Sequence, residues 1–330
     1  MATLAISSIG RTRQLSLKLE ARNPTGSIKF RTAVGLLAAL DAEAPLVPGT
    51  EVIESTSGNL GVALAALLSE MGCRFTAVVD PKASPLILDR ITAHGGDLVR
   101  VEVRDSHGGF LLSRLAEVSR RLKEDPLLRW ANQYSSSANP EIHRDTIARE
   151  LLEQTSGRVD GVLVAVSTGG TLAGISRGLR AGCSSAPVYA VDVLGSLVTS
   201  GTAAPHLLSG IGATRRSSFL QPDDFEAALR VADVTAFAVC RKVRRETGLA
   251  IGGSGGAVVA AYLDALPSGG VLASATSPVA VIADGGDAYV STFYDDGWLE
   301  VHGILDEVEW ADRTMEQAGV RFDLIEVDGA

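Results

Sequence analysis

Cysteine is scarce in this chain of 330 residues: there are three, Cys73, Cys183 and Cys240. They are far apart and show no paired spacing. That argues against a disulfide framework or a thiolate zinc site and fits reduced thiols in a cytoplasmic protein. Basic charge is also in deficit, with 30 lysines and arginines against 39 aspartates and glutamates and a formal net charge of −9. A nucleic-acid binder built on a basic surface is therefore not expected. No stretch reaches 18 apolar residues, and no apolar segment follows a basic start at the N-terminus. Neither a membrane span nor a secretory signal is expected, and the expected location is the cytoplasm. Heptads, tandem repeats and low-complexity tracts are missing as well. What the chain has in quantity is apolar surface and glycine, 46% hydrophobic residues and 35 glycines. That suffices for two well-buried domains or one large one.

Short apolar strands alternate with helical patterns along most of the chain. Strands are expected at 15–20, 51–54, 74–79, 98–103, 127–131, 161–166, 188–192 and 279–283. Helices are expected at 32–40, 60–71, 84–93, 110–123, 141–155, 172–181, 223–230, 235–247 and 257–266. Residues 1–14 read as short and mixed, and the acidic, less periodic stretch from 306 reads as an appendix or partner-covering tail. Such alternation implies βαβ units around an open parallel sheet, an α/β fold.

Three stretches carry chemistry. In Asn23-Pro24-Thr25-Gly26-Ser27-Ile28-Lys29, a Pro/Gly turn and a capping serine precede a lysine with apolar neighbours. Partial desolvation there would favour the neutral amine that a Schiff base needs, whereas the alternative is a solvated lysine on a first helical turn. Ser167-Thr168-Gly169-Gly170-Thr171 follows the strand 161–166. Its successive N–H groups at a helix start form an anion nest to which Thr168 and Thr171 add hydroxyls. It lacks the lysine of a nucleotide P-loop and the spacing of a dinucleotide fingerprint, and a purely structural glycine turn is an equal alternative. Ser55-Thr56-Ser57-Gly58-Asn59 lies at the C-terminal end of a strand, where ligands sit in open α/β sheets. It suits a small carboxylate or, equally, a capped helix start.

Together these stretches resemble the cysteine synthase family of pyridoxal-phosphate enzymes, with the tryptophan-synthase-β fold. The resemblance spans roughly residues 9–300 and rests on motifs in the family's order. It implies pyridoxal 5'-phosphate held by Lys29 as a Schiff base, Asn59 against the phenolic oxygen, and residues Ser167, Thr168, Gly169, Gly170 and Thr171 around the phosphate. Within Gly252-Gly253-Ser254-Gly255-Gly256, it implies that Ser254 faces the pyridine nitrogen. Ser55, Thr56, Ser57 and Gly58 would take the substrate carboxylate with Gln133, which precedes an Ala138-Asn139-Pro140 stretch also similar to the family's. Asp284-Gly285-Gly286-Asp287-Ala288-Tyr289 resembles the closing motif, and Ile9-Gly10-Arg11-Thr12 the opening one. About a dozen residues of the family's lead-in are missing after that opening.

The turn Gly58-Asn59-Leu60-Gly61 and the pair Arg215-Arg216 resemble the branch that makes 2,3-diaminopropionate for siderophores and peptide antibiotics. The implied reaction is β-replacement on O-phospho-L-serine, or another O-activated serine, through an aminoacrylate, with the L-glutamate amine as nucleophile. Arg215 and Arg216 would meet the glutamate carboxylates; their alternative is a pair of solvated charges. Plain cysteine synthase with sulfide is the competing reading, and a dehydratase or a non-catalytic binder are further ones. The resemblance also implies a homodimer, a larger domain of residues 1–33 and 136–330, and a smaller one of 34–135 that closes over the site.

Overall fold

The structure is a computed structural model that describes residues 1–8, 11–106, 108–199, 202–266 and 270–325. Ile9 and Gly10 of the opening motif, and the end of the acidic tail from 326, lie outside the described residues. The chain divides into two compact units. One is discontinuous, Met1–Arg22 with Arg144–Ala330, and the other is the inserted stretch Asn23–His143.

The discontinuous unit begins with β1 (Ala2–Ser8) and β2 (Arg11–Leu19), an antiparallel pair in which Leu4 faces Leu15. Leu4, Ile6, Leu15 and Leu17 alternate onto one buried face, which is the period of a half-buried strand. Residues 1–14, short and mixed in sequence, thus contain a full strand, β1. A turn at Glu20–Arg22 then ends the segment.

The inserted unit follows in chain order as α1 (Lys29–Glu43), β3 (Glu51–Ser55), α2 (Asn59–Glu70), β4 (Arg74–Val79), α3 (Pro85–Ala93), β5 (Asp97–Arg100), α4 (Leu111–Glu124), β6 (Arg129–Trp130) and α5 (Ala138–His143). Its sheet is wholly parallel, in the order β5-β4-β3-β6. Covered on both faces, β4 is largely apolar through Phe75, Ala77, Val78 and Val79, whereas β3 is apolar only at Val52 and Ile53. Helix α2 is apolar through most of its circumference, with Leu60, Val62, Ala63, Leu64 and Leu68 buried. Each such leucine or valine stabilises the unit by about 1.5–3 kcal/mol. Helix α1 packs on α5 through Gly35, where a Cβ would lie 2.8 Å from Ile142 Cβ. That close approach places both helices in one unit, so the boundaries fall at 22/23 and 143/144, whereas the sequence reading placed them at 33/34 and 135/136.

The chain returns to the discontinuous unit with a π turn at Arg144–Ala148 and α6 (Arg149–Gln154). Then come β7 (Gly161–Ala165), α7 (Gly170–Ala181), β8 (Val188–Val193), β9 (Ala227–Val231), α8 (Asp233–Thr247), α9 (Gly253–Ala265), β10 (Pro278–Ile282), α10 (Asp296–Val301), α11 (Leu305–Gln317) and β11 (Arg321–Ile325). The sheet order is β11-β1-β2-β10-β7-β8-β9. It is parallel from β2 to β9, with β1 and β11 added antiparallel at one edge.

Two expectations fail here. The segment 223–230 was expected as a helix, but Ala227–Val231 pairs with β8 as an edge strand, Tyr189 opposite Ala227. An open sheet edge overrides the helical preference of two alanines and a leucine. The stretch from 306 is not an appendix. Lys242 on α8 is fully buried and pairs with Glu246 at 2.7 Å and Glu316 at 3.6 Å. Arg245 pairs with Asp312 at 2.8 Å. The acidic face of α11 therefore docks on a basic face of α8, and β11 joins the sheet.

Candidate active site

In the inserted unit, the lysine turn is built from its backbone. Gly26 has φ +79° and its N–H closes on the Asn23 carbonyl at 2.8 Å, a conformation that suits glycine. Lys29 is half-buried and is itself the first residue of α1, three residues before the expected helix start. The Ser27 hydroxyl accepts from Lys29 N at 3.3 Å, so it supports the turn from two residues back. Arg90 of α3 donates to the Thr25 carbonyl at 2.9 Å. One turn beyond Lys29, Thr32 Oγ1 lies 3.0 Å from Nε2 of the fully buried His143. Burial pushes the His143 pKa down to about 3, with the Lys29 and Arg31 charges adding to it. His143 is therefore a neutral imidazole at neutral pH.

The loop Ser55–Asn59 leaves the C-terminal end of β3, as a ligand site in a parallel sheet should. Its Thr56 N–H is taken by the Val78 carbonyl at 3.0 Å. Below it sits Glu54, 0% exposed, which accepts from Ser55 N at 2.8 Å and from Gln133 N at 3.0 Å. Burial raises the Glu54 pKa to about 7 against the pull of those bonds. Gln133 Nε2 donates to the Ser55 carbonyl at 2.9 Å, so the structure brings Gln133 onto the loop that the sequence reading paired it with. The α2 helix begins at Asn59 without a side-chain cap at Gly58, which directs first-turn N–H groups into the loop. Ser55 Oγ and Thr25 Oγ1 are buried with no hydrogen-bond partner among the described residues.

The discontinuous unit carries the other predicted residues. Val166 follows β7, and Ser167 Oγ donates to the Gly212 carbonyl at 3.0 Å. Gly169 is left-handed, φ +89°, and a Cβ there would lie 2.2 Å from Ser217 Oγ. Ser217 in turn donates to the Thr168 carbonyl at 2.5 Å. Helix α7 starts at Gly170 with no side-chain cap, so Ser167–Thr171 is a closely backed nest of main-chain groups at a helix N-terminus. Arg215 is half-buried and Arg216 exposed, just before Ser217. Ser254 is 5% exposed in the first turn of α9, where Gly253 already belongs to the helix although the expected start was 257. Gly252 tolerates no side chain, since a Cβ would lie 1.9 Å from Asp284 Oδ1. Asp284 Oδ2 accepts from Tyr289 at 2.6 Å, and burial beside that carboxylate holds the phenol well above its ordinary pKa.

Glu54, Ser217 and the ion pair of Asp80 Oδ2 with Arg114 Nε at 3.2 Å, which backs Ser57, are supporting residues absent from the sequence reading. A carboxylate directly after the apolar pair Val52-Ile53 of β3 is the available signal for Glu54. Nothing local marks the other three. Among the described residues, no group of three or more His, Cys, Asp or Glu is placed to hold a metal ion. None of their helices is long and apolar enough to cross a membrane.

Each unit thus carries groups of the kind an α/β enzyme uses for a phosphorylated cofactor, a turn-borne lysine in one and an anion nest in the other. Pyridoxal phosphate fits the donor set: a half-buried lysine, an anion nest whose glycine a Cβ would obstruct, and a buried serine hydroxyl at a second helix start. The profile of the family described as "Pyridoxal-phosphate dependent enzyme" matches residues 4–284. The N-(2-amino-2-carboxyethyl)-L-glutamate synthase of Ralstonia nicotianae is 40% identical over 293 residues, 88% of this chain and 85% of that protein. The protein of the same name from Cupriavidus metallidurans is 39% identical, covering 86% and 83%. The crystal structure of O-ureido-L-serine synthase is similar with a TM-score of 0.76 and 30% identity, covering 89% of this chain and 95% of that one. This chain belongs to the pyridoxal-phosphate dependent enzyme family, and its cofactor is pyridoxal 5'-phosphate.

Proposed function

We propose that this enzyme performs β-replacement on O-phospho-L-serine with the amine of L-glutamate, giving N-(2-amino-2-carboxyethyl)-L-glutamate. The observation that carries the reading is 40% identity across 88% of the chain to a synthase of that name. The O-ureido-L-serine synthase neighbour supports chemistry at an activated serine. The product would feed 2,3-diaminopropionate formation in siderophore or antibiotic biosynthesis. We place the enzyme in the cytoplasm, as a homodimer with the inserted unit as the mobile one. A monomeric mass by light scattering at micromolar protein would overturn the dimer.

The bound cofactor supplies an electron sink next to the substrate α-carbon. The chain's residues do the rest. Lys29 would hold the cofactor, and its amine, when free, would take the substrate α-proton and later return it. Asn59 would orient the ring, and the Ser167–Thr171 nest would hold the phosphate. Ser254 would offer the ring nitrogen a neutral hydroxyl instead of a carboxylate, which suits elimination over transamination. The loop Ser55–Gly58 and Gln133 hold the substrate carboxylate. The β-carbon loses its C–O bond as phosphate leaves and gains a C–N bond to glutamate, whose amine gives up one proton. Arg215 and Arg216 receive the glutamate carboxylates, a task that bidentate guanidinium donors suit.

The test offers O-phospho-L-serine with L-glutamate or with sulfide, and identifies products by mass spectrometry. The glutamate adduct is expected; efficient cysteine formation without it would favour cysteine synthase. Borohydride reduction followed by peptide mapping should place the pyridoxyl mass on Lys29. Label on Lys82, or on no lysine, would refute that assignment.

A further inference from the structure

The Ser57 hydroxyl is fully committed inside the protein. It donates to Asp80 Oδ2 at 2.9 Å and accepts from Asp80 N at 3.2 Å and Arg114 Nη1 at 3.1 Å. A hydroxyl has one hydrogen and two lone pairs, so no donor remains for a ligand. Its partners are themselves fixed. Asp80 and Arg114 side chains are 8% and 11% exposed, and Arg114 Nε lies 3.2 Å from Asp80 Oδ2. Asp80 Oδ1 accepts from Lys82 N at 2.9 Å. The carboxylate thus sits at the end of β4, the guanidinium comes from α4, and the serine lies in the loop after β3.

We propose that Asp80 and Arg114 are positioning residues that act through Ser57. They pin its hydroxyl so that the loop meets the substrate carboxylate with main-chain N–H groups, not with the serine side chain. Two residues from outside the loop converge on one hydroxyl, which removes the rotational freedom that a turn of hydroxyl residues and one glycine would otherwise keep. A preorganised set of N–H donors binds a carboxylate more tightly than one that must be ordered on binding. The buried pair supplies the anchor because its members cannot leave one another: a lone buried charge is strongly disfavoured.

This inference rests on the proposed reading that the loop holds the substrate carboxylate. The experiment measures dissociation constants of the holoenzyme for O-phospho-L-serine, for L-serine and for 2-aminoethyl phosphate, which lacks the carboxylate. Binding is read by calorimetry and from the cofactor's visible absorbance, in wild type, Ser57→Ala, Arg114→Met, and the double variant. Each single substitution should weaken both carboxylate ligands about tenfold, the loss of one net hydrogen bond to a charged partner. The double variant should be no weaker than either single one, because both remove the same strut. KM should rise by more than kcat falls, and 2-aminoethyl phosphate should bind all four proteins alike. Multiplied effects, about a hundredfold in the double variant, would mean that the hydroxyl touches the substrate by itself and would overturn the proposal. Equal weakening of 2-aminoethyl phosphate would reduce the pair to a general structural role and also overturn it. Should Arg114→Met fail to fold, Arg114→Lys keeps the ion pair without the fork that also reaches Ser57. It should lose about threefold for the carboxylate ligands alone; no loss, or an equal loss for 2-aminoethyl phosphate, would overturn the proposal. L-serine separates this outcome from failure of the β-replacement reading, since it carries the carboxylate whether or not phosphate is the natural leaving group.

Discussion

Replacing Glu54 by glutamine should change how stability depends on pH more than it changes stability at any one pH. Burial raises this carboxyl from its ordinary 4.5 to about 7. At 1.36 kcal/mol per pKa unit that separation corresponds to about 3 kcal/mol. The sign follows from proton binding: the folded state holds the Glu54 proton more tightly than the unfolded chain does. The stabilisation is whole below pH 4.5 and is lost as pH rises through about 7. Glutamine has nothing to titrate, so the variant loses this slope. It also keeps one carbonyl for two backbone donors, Ser55 N and Gln133 N, and the donor left without an acceptor costs about 1–3 kcal/mol. Wild type should therefore be the more stable protein at pH 5, and the two should lie within about 2 kcal/mol of each other at pH 8. Urea unfolding of both holoenzymes at several pH values, followed by far-ultraviolet circular dichroism, gives the difference curve. Parallel stability curves between pH 5 and 8 would show that Glu54 does not titrate in this window and would refute the reasoning.

Two further substitutions probe the cofactor nest and the arginine pair. Gly169→Ala forces a side chain onto a left-handed residue and against Ser217 Oγ, at 2.2 Å. A strain of about 1–3 kcal/mol should appear as a fivefold to hundredfold weaker affinity for pyridoxal phosphate in titrations of the apoenzyme, and unchanged affinity would refute the nest. Arg215→Ala should raise the glutamate KM by about 2 kcal/mol or more in free-energy terms if its contact is desolvated and bidentate, and the exposed Arg216→Ala by about 1 kcal/mol or less. Stopped-flow spectra should show the half-reaction with O-phospho-L-serine nearly intact in both variants, and its loss would remove the arginines from glutamate binding.

The βαβ rhythm was legible because strands such as Val188–Val193 and helices such as α7 bury long periodic apolar faces. The turns Ser55–Asn59 and Ser167–Thr171 were legible because hydroxyl residues and glycines crowd where a strand meets a helix. Strand β9 was not, since Ala-Ala-Leu-Arg-Val lacks a local strand signature and becomes extended only beside β8. The docking of α11 was hidden because its charges read as a solvated tail until Lys242 and Arg245 stand opposite them. The Ser57 network was out of reach for a similar reason. Ser57 lies 23 residues from Asp80 and 57 from Arg114, so only the side-by-side placement of β3, β4 and α4 makes them neighbours.

The order in which the chain is written bears on how it folds. The inserted unit is one uninterrupted stretch, Asn23–His143. Its parallel sheet can close once β6 (Arg129–Trp130) has emerged from a ribosome, well before β7 to β11 are made. Strand β2 must wait far longer, because its parallel partner is β10, where Leu17 meets Ala280. Until Pro278–Ile282 is synthesised both edges of that hairpin lack a neighbour, and β1 waits longer still for β11 at Arg321–Ile325. The nascent chain therefore carries a finished globule behind a tethered, sticky hairpin, a state in which a holding chaperone, or the pace of translation up to β10 and β11, would matter most.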